Sequence, residues 1–168
     1  SYLVSHMAAA VGTPIERVCT FTSDQLRKKV YLNGTTVEYD GVQVTFPRDV
    51  GVSYASSIHW KGTNGFEPNT WRVLRAFIER ADVFLDIGSN IGFYSILAKK
   101  IHSEIQIHAF EPVPPIFQNN LHFHRANGLE SRVVRNIAIS DNICEATIRL
   151  PVTKTGLEEE TTATLRND

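Results

Sequence analysis

No stretch of this chain approaches the roughly 18 consecutive apolar residues that a membrane span needs. Nor do its basic residues form a run. With 17 Lys and Arg against 18 Asp and Glu the net charge is -1, so electrostatics suggests neither nucleic acid nor an anionic membrane as a partner. Cysteine is scarce as well. Cys19 and Cys144 stand far apart and outside any Cys-x-x-Cys pattern, which excludes a disulfide framework and reads as two reduced thiols in a cytoplasmic protein. Several catalytic signatures are missing too: Gly-x-Ser-x-Gly, His-Glu-x-x-His, and a phosphate loop ending in Gly-Lys-Ser/Thr. His122 and His124 are two apart on a predicted helix, so they face different directions and make a poor metal pair. No metal site is expected.

Methionine occurs once, as Met7. The preceding "SYLVSH" reads as a cloning scar, so residues 1–6 are set aside from fold reasoning. The whole 168-residue chain is 42% hydrophobic and 21% charged, the composition and size of one globular domain. Thr13-Pro14 has the form of a cap and first-turn proline of a short helix. "TTVEYDGVQVTF" (35–46) places Asp40-Gly41 between two alternating runs, a strong hairpin signal. Residues 47–65, with Pro47, three glycines and several serines, read as a loop. Residues 7–65 are thus expected to form an accessory region of helix plus hairpin.

From Asn69 onward the pattern changes. Trp71, Leu74, Phe77 and Ile78 fall at helical spacing through about Arg80. An apolar strand (Val83 to Ile87), a glycine turn and a helix (Phe93 to Lys100) follow. A second strand (Gln106 to Phe110) leads to a proline-opened helix ending near Asn127-Gly128, then to a third strand (Val133 to Ile139). "EATIRLPV" reads as a fourth strand, and residues 153–168 as a polar loop or tail. This alternation over residues 66–152 predicts an α/β fold: the N-terminal part of a Rossmann-like, doubly wound, mostly parallel sheet, covered on both faces. Only three core strands are supplied. In the order 3-2-1 the first strand lies at an apolar edge, which natural proteins avoid. The chain is therefore expected to be part of a longer protein, or to have that edge covered by another chain, as in a homo-oligomer.

"DVFLDIGSNIGFYS" (82–95) carries the chemistry. In open α/β sheets the ligand lies beyond the carboxyl ends of the strands, where Asp86, Gly88 and Gly92 fall. The glycines permit a tight turn and a close approach of backbone amides to a ligand. A dinucleotide site, counted from Gly88, requires glycines at 90 and 93; here stand Asn90 and Phe93, and Asp86 would set a negative charge near the phosphates. S-adenosyl-L-methionine has no phosphate and carries an ammonium and a sulfonium. A carboxylate at the strand end suits that head, directly or through water, and the helix N-terminus can receive its carboxylate. The plain alternative is a glycine turn that only joins strand to helix. Glu111, ending the second strand in "IHAFEP", can accept hydrogen bonds from ribose hydroxyls, a device common to both cofactor classes. Phe93 and Tyr94 follow the turn at helical spacing with Leu97, so at least one of them is core. His59 and Trp60, before the lead-in helix, could reach an acceptor, but a surface role is the preferred reading.

"FLDIGSNIGFYS", "HAFEPVPPIFQNNLHFHRANGL" and "VVRNIAISDNICEATIRLP" resemble successive blocks of the FkbM-type family of S-adenosylmethionine-dependent methyltransferases, and "NGFEPNTWRVLRAFIERADVFLDIG" is similar to that family's lead-in helix. The resemblance covers roughly residues 64–152. It implies a class I, Rossmann-like methyltransferase acting on hydroxyls of sugars or natural products. It implies further that Asp86, Gly88, Ser89, Asn90 and Gly92 line the methionine half of the cofactor. Glu111 would hold the ribose, Pro112 would shape the adenine edge, and Asn136 and Ala138 would lie near the adenine. Glu67, in "GFEP", would help bind the ammonium, or would serve only as an acid at a helix N-terminus. The family's later "D-x-E-G" block is absent, so no general base or acceptor residue is assigned. A non-catalytic adenosine-ligand module, needing a partner or a missing C-terminal half, is the other function class expected; a nicotinamide oxidoreductase is disfavoured by Asn90 and Phe93.

Overall fold

A computed structural model describes residues 34–141, 147–149 and 164–166. The helix expected at Thr13-Pro14 and both cysteines lie outside the described residues. Strands β1 (Thr35–Tyr39) and β2 (Val42–Phe46) form the expected antiparallel hairpin, with Tyr39 opposite Val42. Asp40 and Gly41 both adopt positive φ, 51° and 80°, the geometry a two-residue primed turn demands. Alternation then decides the faces: Val37, Tyr39, Val44 and Phe46 are buried, while Thr36 and Thr45 meet through their hydroxyls on the other side.

Residues 52–61 overturn the loop expectation by forming helix α1 (Val52–Lys61), followed by a 3-10 turn at Gly62–Gly65. Three serines and flanking glycines give this stretch weak helix propensity. Tertiary packing overrides it, because Tyr54, Ala55 and Ile58 bury one face. Helix α2 (Pro68–Ile78) forms where the helical spacing places it, opens on Pro68 in its first turn, and buries Trp71 and Ile78. Trp71 Nε1 donates to Asp40 Oδ2 at 2.8 Å, and Arg75 pairs with the same carboxylate, so the hairpin turn anchors α2.

Next come β3 (Val83–Ile87), α3 (Phe93–Ile101), β4 (Gln106–Phe110), α4 (Pro114–Ala126) and β5 (Val134–Arg135). The three strands form one parallel sheet in the order β3-β4-β5. This parallel sheet with helical crossovers is a partial Rossmann-like fold. Strand β5 is shorter than expected. After Arg135 the Asn136 side chain turns back, donating to the carbonyls of Glu111 (2.8 Å) and Pro112 (3.0 Å) in place of a ladder. The expected fourth strand exists as β6 (Thr147–Arg149), but it pairs antiparallel with β7 (Thr164–Arg166), within the stretch read as a polar tail.

One core joins hairpin and sheet. Phe46 lies 4.8 Å from Phe123 of α4, and Tyr39 lies 5.2 Å from Phe93 of α3. Asn127 adds a polar clasp: it accepts from the Thr45 N–H (2.9 Å) and donates to the Thr45 carbonyl (2.8 Å), standing in for a neighbouring strand. The expectation of a sheet covered on both faces needs correction. Ile107 and Ala109 are buried on one face, whereas Val83, Leu85 and Ile87 on the other are 46–60% exposed. Helices of consecutive right-handed crossovers in this strand order fall on the same side, so among the described residues one face stays bare. As expected from the strand order, β3 sits at an edge.

Candidate functional site

The C-terminal ends of β3 and β4 open onto a cavity of about 530 Å³, within the range of small-molecule sites. Its floor is the turn between β3 and α3. Gly88 has φ 72°, and a Cβ there would meet nothing within 4 Å, so this glycine faces open space. Gly92 does another job. It has φ 83°, and a Cβ would collide with the His124 ring and stand 2.7 Å from Asn120 Oδ1. Gly92 therefore lets α3 and α4 close up behind the cavity and is not part of its wall.

The turn's amides are not offered to a ligand as expected. Gly88 and Ser89 both donate to the Phe110 carbonyl (2.9 and 3.0 Å), and Asn90 N–H donates to Glu111 Oε2 at 2.9 Å. Buried backbone donors must find partners, and the end of β4 supplies them. Asn120, a buried residue of α4, completes the clamp: its Nδ2 donates to Ser89 Oγ (2.9 Å) and to the Asn90 carbonyl (2.6 Å). It was not singled out in the sequence, although a polar residue between Ile116 and Phe123 on a helix's apolar stripe is a readable signal. Behind it the buried His124 donates from Nδ1 to the Asn120 carbonyl (3.0 Å), and burial lowers its pKa, leaving the ring neutral.

Asp86 reaches the cavity from β3 on the covered face of the sheet. Its Oδ2 accepts from Ser95 Oγ at 2.5 Å, and the carboxylate also accepts from the Ser95 N–H in the first turn of α3. Burial nonetheless raises its pKa, with the charge of Glu111 adding to the effect. Glu111 is buried and fixed, accepting from Asn90 N–H on Oε2 and from Val113 N–H on Oε1, each at 2.9 Å. An ionised carboxylate has about four acceptor positions, so two contacts leave capacity for ligand hydroxyls. Glu67 faces the cavity from the N-cap of α2, with φ 35° and ψ 55°, and its Oε2 accepts from Tyr94 OH at 2.7 Å.

Of the residues expected in the site, Glu67, Asp86, Gly88, Ser89, Asn90, Glu111, Pro112 and Ala138 line this one cavity. Gly92 and Asn136 do not; they hold its walls from behind. Tyr54 and Phe66 also line it; no sequence signal marks them, because Tyr54 falls inside, and Phe66 directly after, the serine- and glycine-rich stretch that reads as a loop. Glu67, Asp86 and Glu111 are the charged residues of the wall. No Lys, Arg or His is among the described residues that line it.

Comparison with known proteins finds a partial likeness. Over 63 residues the chain is 38% identical to the 31-O-demethyl-FK506 methyltransferase FkbM of Streptomyces tacrolimicus. That stretch is similar to part of a methyltransferase. It covers 36% of this chain and 23% of that enzyme, so the likeness is distant and partial. No protein-family model matches the chain, and no solved structure matches it. No helix among the described residues is long and apolar enough to cross a membrane.

Proposed function

We infer that this chain binds S-adenosyl-L-methionine and forms the cofactor-binding part of a methyltransferase. The observation that carries the reading is the charge of the cavity: three carboxylates and no cation among the described lining residues. A pyrophosphate is repelled there, while an ammonium and a sulfonium are attracted. The residues fit the group. Gly88 leaves room for it, Glu111 retains acceptor capacity for ribose hydroxyls, and Asp86 and Glu67 offer negative charge to the amino-acid head.

When bound, the cofactor supplies an electrophilic methyl group on a sulfonium leaving group. The chain's own residues bind, orient and exclude water. Glu111 sets the ribose, the Asn120 clamp fixes the turn under the methionine half, and the aromatic side of the cavity keeps solvent away. The name of the FkbM relative, a methyltransferase of a demethylated oxygen, favours a hydroxyl acceptor on a sugar or another small molecule. Calorimetric titration with S-adenosylmethionine and S-adenosylhomocysteine, with NADH as control, tests the reading. Binding of the two sulfur ligands and not of NADH is expected. Binding of NADH alone, or of none of the three, overturns it.

A further inference from the structure

Four aromatic rings gather at one corner of the cavity. Tyr54 of α1 and Phe66 lie 4.6 Å apart, Phe66 and Tyr94 5.8 Å, and Phe66 and Phe93 5.2 Å. All four line the cavity, next to the Glu67 carboxylate. The corner is held in place from outside. Tyr39 OH donates to the Phe66 carbonyl at 2.6 Å, and Tyr94 OH holds Glu67 at 2.7 Å. Glu67 keeps a left-handed backbone that non-glycine residues rarely adopt, and such strain persists where surrounding structure imposes it.

We propose that this corner, with Tyr54, Phe66 and Tyr94 around Glu67, is a subsite for an alkylated cation, and that it takes the sulfonium of the cofactor. This rests on the cofactor reading above. Asn90 links the two ends of the site: its N–H donates to Glu111, and its Nδ2 donates to Tyr54 OH at 3.4 Å. The corner is thus one residue away from the carboxylate assigned to the ribose. In S-adenosylmethionine the charged sulfur is attached to the ribose C5′, so a ribose at Glu111 brings the sulfonium toward these rings. A sulfonium has no N–H to donate, and it is best received by aromatic faces and a nearby negative charge. The ammonium, which can donate, is left to Asp86.

The test compares two ligands that differ at the sulfur: S-adenosylmethionine carries the cation, and S-adenosylhomocysteine has a neutral thioether. Both are titrated calorimetrically into the full 168-residue chain, as wild type and as Tyr54→Leu. Loss of the ring should weaken S-adenosylmethionine by roughly 5- to 30-fold, the range for a desolvated cation–ring contact, and leave S-adenosylhomocysteine within about twofold. A purely structural role would weaken both ligands alike, and that outcome overturns the proposal, as does no change in either. Tyr94→Leu, on a different helix, makes the same comparison if Tyr54→Leu does not fold. If wild type binds neither ligand, the cofactor reading itself fails; if it binds both and the variants leave their ratio unchanged, only the sulfonium subsite is lost.

Discussion

Asp86→Asn should separate stability from binding at a single atom. The Ser95 hydroxyl and N–H that hold the carboxylate can both be accepted by a carboxamide oxygen, so the local geometry survives. With no cation among the described lining residues, the charge is offset mainly by those two bonds and the start of α3. Burial raises the pKa, and the nearby Glu111 charge raises it further. The folded chain therefore holds this proton more tightly than the unfolded chain does. The Asp86 contribution is most favourable below the ordinary carboxylate value of about 3.9 and is lost as pH rises through the raised folded value. Asparagine removes that loss. At neutral pH the variant should gain about 1 kcal/mol, the usual scale for relieving a functional-site residue. That is a Tm rise of about 2–4 °C for a chain of this size, shrinking toward acid.

Binding should move the other way. Losing a charged partner in a partly buried site costs about 2–3 kcal/mol, or roughly 30- to 150-fold in Kd. Thermal unfolding from acid to neutral pH, with and without S-adenosylmethionine, reads both effects, because a ligand stabilises only what it binds. A variant less stable than wild type at neutral pH would refute the account of the buried charge. An undiminished thermal shift with ligand would refute the assignment of Asp86 to the cation.

Two further outcomes follow from the packing behind the turn. Gly92→Ala should cost about 3 kcal/mol, since its Cβ meets His124 and Asn120 as well as carrying backbone strain; Gly88→Ala, facing open space, should cost only the left-handed penalty of about 1–2 kcal/mol. Similar urea midpoints for the two would contradict the division of labour between these glycines. His124 is neutral in the fold because burial lowers its pKa, so stability is full above the unfolded value of about 6.5 and falls as pH drops below it. His124→Gln should flatten that part of the urea-midpoint profile, and an unaltered slope would show that the ring is not buried as described.

The periodic parts of this fold were legible in the sequence because each obeys one local rule. Asp40-Gly41 can only turn a hairpin of this twist, Pro114 opens a helix, and the apolar β3 breaking into Gly88 and Gly92 marks the strand end where ligands sit. Residue types also indicated the sign of the site, since Asp86 and Glu111 end neighbouring strands. Tertiary structure decided what local rules could not. It made a helix of a serine-rich stretch by burying Tyr54, Ala55 and Ile58. It turned Gly92 into a packing residue while leaving Gly88 open, although both occupy the same backbone region. It also spent the turn's amides on Phe110 and Glu111 instead of on a ligand. Sequence spacing fixes which groups come near a strand end; which of them stay available depends on the partners that folding brings from 20 or 30 residues away, because a buried donor must be paired within the fold.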